Sequence, residues 1–272
     1  MIKLVAIDLD GTLLDSKKQI SPNTVSVISE IRKRGVTVVL STARPPRTTL
    51  PYYHQLGLKG PMINYNGAFV WLPHEHKTLM HKPIPCNVAK GIIRWARQKH
   101  PQIRVSAEVE DKWYTDFYDG TYRTETAKLV DPDVVGPIDE WLHQPLTKLL
   151  LLGKRDWLTK VNEAIKADLP DKLRTVQTES NLLQIMEASV SKAVAVKHLS
   201  HLFKFHRHEV MAIGDNANDA GMIQWAGTGV AMANGHVVCL QVADHIAGHH
   251  NEDGVANVLR EIILEGKPIQ KR

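Results

Sequence analysis

The sequence is poor in the features that mark several large protein classes. It has only two cysteines, Cys86 and Cys239, far apart in a chain of 272 residues. Two are too few for a disulfide framework, and a reduced, cytoplasmic setting is expected. No apolar run approaches the roughly 20 residues that a membrane-spanning helix needs, so no membrane partner is expected. The chain enters its first apolar run with neither a basic n-region nor a cleavage site, and no signal peptide is expected. Basic residues form no repeat and no stripe interleaved with aromatics. The net charge of +5 is spread along the chain, with a small cluster at Lys267, Lys271 and Arg272. That pattern argues against a nucleic-acid partner and suits small anionic ligands equally well. There is no G-x-S-x-G, and no H-E-x-x-H despite 14 histidines. The histidines fall in loose groups (His74, His76, His81; His198, His201, His206, His208; His249, His250) without cysteines at finger spacing, which argues against a zinc site.

What is present begins at once. Leu4-Val5-Ala6-Ile7 is an apolar run that stops at Asp8, with Asp10 two residues on and Gly11-Thr12 behind. A buried strand there delivers two carboxylates to its C-terminal end, the edge where open α/β sheets bind ligands. Like charges so close repel unless a cation lies between them.

Residues 1–83 alternate strand and helix: a strand over 3–8, a helix from Pro22 with Ser21 as N-cap and Val25, Ile28 and Ile31 on one face, and a stop at Gly35. A buried strand, Val36 to Leu40, runs into Ser41-Thr42-Ala43-Arg44. A helix after Pro46 closes near Gly57. A third strand over Pro61 to Tyr65 turns at Asn66-Gly67, a strong hairpin signal, into Phe69-Val70-Trp71. From about 84 the texture changes to α+β, with a helix from Val88 to Lys99, strands at 147–152 and 182–187, and a helix from Trp157 to Ala167 between them. The β/α alternation then resumes: a helix from Ser191-Lys192, a buried strand Val210 to Ile213 ending in Gly214-Asp215-Asn216-Ala217-Asn218-Asp219, a strand Gly229 to Met232, and a helix Val255 to Leu264. The expected fold is α/β, a Rossmann-like doubly wound parallel sheet made by 1–83 and 188–272, with an α+β module inserted at 84–187.

In such a sheet the ends of the buried strands share one edge. Asp8, Asp10, Asp215 and Asp219 then gather with the Thr42 hydroxyl and the Lys192 ammonium. Acids in that number need a cation, and all-oxygen donors point to Mg²⁺. Such a site holds a phosphoryl group, with Thr42, Lys192 and backbone N–H groups on its non-bridging oxygens. With no Ser–His arrangement, the nucleophile is a carboxylate: Asp8 attacks phosphorus, and Asp10 protonates the leaving oxygen and then activates water.

D-L-D-G-T-L at 8–13, S-T-A-R at 41–44, S-K-A at 191–193 and G-D-N-A-N-D at 214–219 resemble, in order, the four motifs of the haloacid dehalogenase superfamily. N-Y-N-G-A at 64–68, G-V-A-M-A-N-G at 229–235 and E-D-G-V-A at 252–256 resemble its Cof-type (subfamily IIB) phosphatases, whose C2-type cap is inserted between the second and third motifs. The resemblance covers essentially the whole chain. It implies a Mg²⁺-dependent phosphatase of small organic phosphate monoesters, with a cap at 84–187 that closes over the site and selects the leaving group. Sugar phosphates come first as substrates, then pyridoxal phosphate or flavin mononucleotide. It further implies that Asp8 is nucleophile and metal ligand, that Asp10 is acid/base and binds the metal through its carbonyl, and that Asp215, assisted by Asp219, completes the metal set. Phosphate falls to Thr42, Lys192 and Asn218 with the backbone at Leu9 and Ala43. Arg44 is either a substrate contact or a structural ion pair.

The chain departs from the pattern at Ala43 and Ala193, where these proteins usually carry Gly, and at Gly235, where they usually carry Ala. A methyl at 43 is tolerable if φ there is negative. Asn64 and Asn66 read first as turn residues, Trp113 and Tyr114 as packing within the insert, and His249 and His250 as the entry loop of the last helix. A phosphomutase, a dehalogenase or a non-catalytic phosphate-binding module on the same fold are the rivals. A monomer or weak homodimer is expected.

Overall fold

The computed structural model describes residues 1–120 and 126–267; Lys271 and Arg272 of the basic cluster lie outside them. In chain order the elements are β1 (Leu4–Ile7), α1 (Pro22–Lys33), β2 (Thr37–Leu40), α2 (Pro46–Gln55), β3 (Met62–Asn64), β4 (Phe69–Leu72) and β5 (Lys77–His81). Next come α3 (Cys86–Lys99), β6 (Arg104–Val109), β7 (Lys112–Thr115), β8 (Val134–Val135), α4 (Ile138–Trp141), β9 (Lys148–Leu152), α5 (Arg155–Asp168), β10 (Leu173–Glu179) and β11 (Leu182–Glu187). The chain continues through α6 (Lys192–Leu202), β12 (Val210–Gly214), α7 (Ala220–Trp225), β13 (Thr228–Met232), α8 (Val237–Val242), β14 (His245–Ala247) and α9 (Gly254–Leu259). Its contacts divide it into two compact units. One comprises 1–43, 49–79 and the described residues from 191 on; the other comprises 44–48 and the described residues of 80–190.

The first unit is built on a five-stranded parallel sheet in the order β14-β13-β12-β1-β2. β1 lies between β12 and β2, in register Leu4↔Val210 and Leu4↔Thr37, which is why its four residues are apolar without alternation. The order runs outward from β1 in both directions, so β1 and β12 flank the topological switch point where such sheets open a crevice at their carboxyl ends. The third predicted strand does not join this sheet as a full member. β3 belongs to a separate antiparallel sheet, β3-β4-β5, and touches the main one through a single bridge, Ser41↔Ile63. The turn after it is also longer than the two-residue hairpin that Asn-Gly suggests: Asn64 pairs with Phe69, so four residues intervene. β5 and β14 are short strands that the sequence pattern does not reveal. The last predicted helix is α-helical over Gly254–Leu259 and continues as a π-helical turn over Arg260–Leu264.

The second unit is a six-stranded sheet, β10-β11-β9-β6-β7-β8, antiparallel except for β7 beside β8. Alternate residues (Val105, Ala107, Leu149, Leu151, Leu183, Ile185) face α3 and α5, whose Ile92, Ile93, Ala96, Leu158, Val161 and Ile165 complete that core. The intervening positions include a cross-strand charge pair, Glu108 opposite Lys148, both buried. Arg47 grips Glu108 with two hydrogen bonds of 2.8 and 2.9 Å. Trp113 is buried with its Nε1 on Ser106 Oγ, and Tyr114 packs against Trp141, both within this unit.

α1 starts where the sequence predicts it. Ser21 caps it, accepting the Thr24 N–H at 3.0 Å, and Pro22 follows in the first turn. The same end is held by Asp253, in left-handed conformation at φ 55°, which accepts from Ser21 Oγ and, at 2.8 Å, from Asn23 Nδ2. These hydrogen bonds, Ser21 first, hold the Asp253 carboxyl below its ordinary value. A group depressed on folding contributes stability above its unfolded value, near 3.8, and loses it as pH falls through the lowered folded value. Asp253→Asn tolerates the left-handed backbone but loses the charge. It is expected to cost about 1 kcal/mol in urea unfolding at pH 7, with the gap to the parent closing as pH is lowered below 3.8.

Candidate active site

Three carboxylates converge beyond the ends of β1 and β12. Oxygens of Asp8, Asp215 and Asp219 all lie within 4.8 Å of one another. Asp8 continues β1, its N–H donating to the Ile213 carbonyl at 3.0 Å, and Asp8 and Asp219 are 5% and 0% exposed. The ammonium of Lys192, 1% exposed, lies between them and donates to Asp8 Oδ1 and Asp219 Oδ1 at 2.6 Å each. Asp219 also accepts, on its other oxygen, the N–H groups of Asp215 (3.2 Å) and Asn216 (3.0 Å), which folds the 214–219 loop around it.

Burial sets the charges here. It raises the Asp8 carboxyl well above its ordinary value, and Asp219 adds to the rise, against the pull of Lys192. Burial raises Asp215 too, opposed by the hydrogen bond from Thr12. Burial alone would lower Lys192, but Asp219 and Asp8 outweigh it and the ammonium is raised and stays charged. Three acids against one ammonium leave the cluster with negative charge in a dry place, an environment that fits a divalent cation with hard oxygen donors.

The loop after β1 is shaped to the same end. Gly11 has φ 80°, and a Cβ there would come 2.5 Å from Asp215 Oδ2. Thr12 Oγ1 donates to Asp215 Oδ1 at 2.6 Å. Asn234 Nδ2 donates to the Gly11 carbonyl at 2.8 Å, while its Oδ1 accepts the His250 N–H at 3.0 Å. The His250 ring in turn bonds the Leu14 carbonyl at 2.8 Å. Thr12, Asn234 and His250 were not among the predicted site residues. Thr12 could have been found, since its place behind D-x-D-G puts a hydroxyl beside the acids; the other two emerge only from the fold.

Of the remaining predicted residues, the Asp10 carboxylate is not in the cluster. It turns outward to Lys18 Nζ at 2.7 Å, both side chains well exposed. The prediction of four gathered carboxylates is thus met by three, because the residue after Asp8 points into the core (Leu9 is 0% exposed) and Asp10 opens onto the loop. Leu9 accepts, on its carbonyl, the N–H groups of Thr12 and Leu14. Thr42 is buried at the end of β2, its N–H on the Ile63 carbonyl at 2.9 Å. Ala43 has negative φ, so its methyl is accommodated. Arg44 is half-buried and groups with the second unit. Asn218 reaches Asn66, its Nδ2 donating to Asn66 Oδ1 at 2.8 Å. Cys239 lies beside the acids, its Sγ on the Asn216 carbonyl at 2.9 Å. Burial and then Asp219 and Asp215 push this thiol up to about 12, so it is protonated at neutral pH and no nucleophile.

The haloacid dehalogenase-like hydrolase family model matches residues 5–259. The chain is 32% identical to the 5-amino-6-(5-phospho-D-ribitylamino)uracil phosphatase YitU of Bacillus subtilis, over 95% of this chain and 96% of that one. Among solved structures it superposes with a TM-score of 0.86 on a haloacid dehalogenase-like hydrolase from Bacteroides thetaiotaomicron (28% identical, covering 96% of this chain and 100% of that one). A protein from Thermotoga maritima gives the same TM-score at 29% identity, covering 96% and 98%.

Removing the ammonium leaves two buried carboxylates facing each other. Lys192→Met is expected to destabilise the protein in chelator by about 3–5 kcal/mol, measured by urea unfolding. Added divalent cation should recover part of that loss, because cation and ammonium relieve the same repulsion.

Proposed function

The chain belongs to the haloacid dehalogenase-like hydrolases, and from that premise we propose that it is a Mg²⁺-dependent phosphatase of small organic phosphate monoesters that works through an aspartyl phosphate on Asp8. The observation that carries the reading is buried Lys192 between buried Asp8 and Asp219, with Asp215 alongside. Asp8, Asp215 and the carbonyl of Asp10 hold the metal, with Asp219 assisting. The bound cation supplies positive charge against the repulsion between a carboxylate and a phosphate dianion.

The chain's own groups do the rest. Asp8 attacks phosphorus with one carboxylate oxygen as the bond to the leaving oxygen breaks. Asp10 gives that oxygen a proton, then takes one from the water that hydrolyses the acyl phosphate. Thr42, Lys192, Asn218 and the backbone at Leu9 and Ala43 hold the phosphate oxygens, with Arg44 as a further contact. The inserted module, 84–187, selects among esters. YitU is named for a phosphate ester on a ribityl chain. That supports polyol and sugar phosphates as the first class to assay, ahead of pyridoxal phosphate and flavin mononucleotide. We expect a cytoplasmic monomer or weak homodimer acting on small molecules; no helix among the described residues is long and apolar enough to cross a membrane.

Phosphate release from a broad panel of esters, with Mg²⁺ or with chelator, tests the reading. The expected outcome is Mg²⁺-dependent release, lowered about 10³-fold or more in Asp8→Asn and about 10²–10⁴-fold in Asp10→Asn. Transfer of the phosphoryl group to a second sugar without free phosphate would favour a mutase instead. Release that is undiminished in Asp8→Asn would sink the covalent mechanism.

A further inference from the structure

The turn that joins β3 to β4 is more than a hairpin closure. Tyr65, Asn66 and Gly67 are left-handed in succession, at φ 50°, 57° and 99°. A left-handed conformation is costly for residues with a Cβ and persists where surrounding contacts demand it. The contacts here run to three separate parts of the candidate phosphate pocket. The Asn66 N–H donates to the Thr42 carbonyl at 2.9 Å. Gly67 lies against the start of α6: a Cβ on it would come 2.4 Å from the Ser191 carbonyl oxygen, one residue before Lys192. Asn66 Oδ1 accepts from Asn218 Nδ2 at 2.8 Å. An Asn-Gly turn needs Asn for its backbone; it does not need the Asn66 amide to reach a loop on the far side of the sheet sequence.

Asn218 carries the second observation. Its Oδ1 is buried and has no hydrogen-bond partner among the described residues. An unpaired buried acceptor is costly and marks a place where a ligand or water is wanted. Its Nδ2 has two hydrogens, and the bond to Asn66 uses one. Without that bond the Asn218 amide is free to rotate about its terminal torsion, which is broad and roughly two-fold.

We propose that Asn66 is a positioning residue: it fixes the Asn218 amide so that its second N–H donates to a phosphoryl oxygen while the buried Oδ1 is left to accept from a hydroxyl of the ester or a water. The Tyr65–Gly67 turn ties this group to Thr42 and to the start of α6. This rests on the reading of Asn218 as a phosphate ligand. Asn66 acts through Asn218, so its effect disappears when Asn218 is already truncated.

The test is a double-mutant cycle with Asn66→Gly, Asn218→Ala and the double variant. Glycine keeps the left-handed turn and removes only the amide, and thermal unfolding checks that each variant folds. Binding of inorganic phosphate in Mg²⁺ is measured by calorimetry, alongside kcat/KM on the best ester of the panel. Asn66→Gly and Asn218→Ala are each expected to weaken phosphate binding about tenfold, with the double variant no weaker than Asn218→Ala alone. Additive losses, or an Asn66→Gly variant that binds like the parent, would overturn the inference, as would a parent that binds no phosphate. A parent that binds phosphate with the non-additive pattern yet releases none from any ester would uphold the positioning role and defeat the hydrolase mechanism. The two ideas therefore fail separately.

Discussion

The site depends on one ammonium. Lys192 lies between Asp8 and Asp219, bonded to both at 2.6 Å and almost wholly buried. Each of these groups is costly to bury alone, and the two carboxylates repel. The lysine makes the arrangement tolerable, but it neutralises only one of the three negative charges that Asp8, Asp215 and Asp219 can carry. Burial first, and then the neighbouring Asp219, raise both Asp8 and Asp215 above their ordinary values. A site that is short of positive charge by design is one that takes up a cation and, with it, an anion. The chemistry proposed for the chain follows from this imbalance more than from any single residue.

The fold creates the imbalance by placing strand ends. β1 is central and parallel to both neighbours, so whatever follows Ile7 emerges at the switch point beside whatever follows β12. The loop after β1 is then fastened from several directions. Gly11 makes room for Asp215, Thr12 bonds it, and Asn234 holds the Gly11 carbonyl. His250 carries the restraint to Leu14, and Asp253 fixes the start of α1. The G-V-A-M-A-N-G and E-D-G-V-A segments, which the sequence offers only as family habit, thus have physical tasks: they set the position of the loop after β1. Their residues need not touch a substrate to matter.

The strands and acids of the site were legible because buried parallel strands are unmixed apolar runs and because carboxylates at their ends stand out against that background. Ser21 and Pro22 announced α1 by cap chemistry. What the sequence could not convey is direction. Asp8 and Asp10 look equivalent as letters, yet one is buried in the cluster and the other faces Lys18, because Leu9 between them is drawn into the core. Asn66 looked like an ordinary turn residue, since Asn-Gly serves hairpins everywhere. Its amide bond to Asn218 depends on a turn two residues longer than the hairpin that the dipeptide suggests, and on which way β3 leaves the main sheet. β5 and β14, short and partly exposed, carry too little hydrophobic pattern to be read.

The outward turn of Asp10 has a consequence for the proposed mechanism. Two carboxylates close in sequence are asked to do opposite things: one must stay ionised to attack phosphorus, the other must carry a proton to the leaving oxygen and later take one from water. Enzymes separate such roles by giving the two groups different surroundings. Here Asp8 is buried in the cluster, where burial and then Asp219 raise its carboxyl well above its ordinary value and Lys192 pulls the other way; a bound cation would add to the pull of Lys192 toward the ionised form. Asp10 lies outside that cluster, well exposed and paired with Lys18. An ion pair so exposed is worth at most about 1 kcal/mol. The same two-residue spacing that puts both acids on one loop thereby gives them different surroundings, one buried beside an ammonium and the other open to solvent.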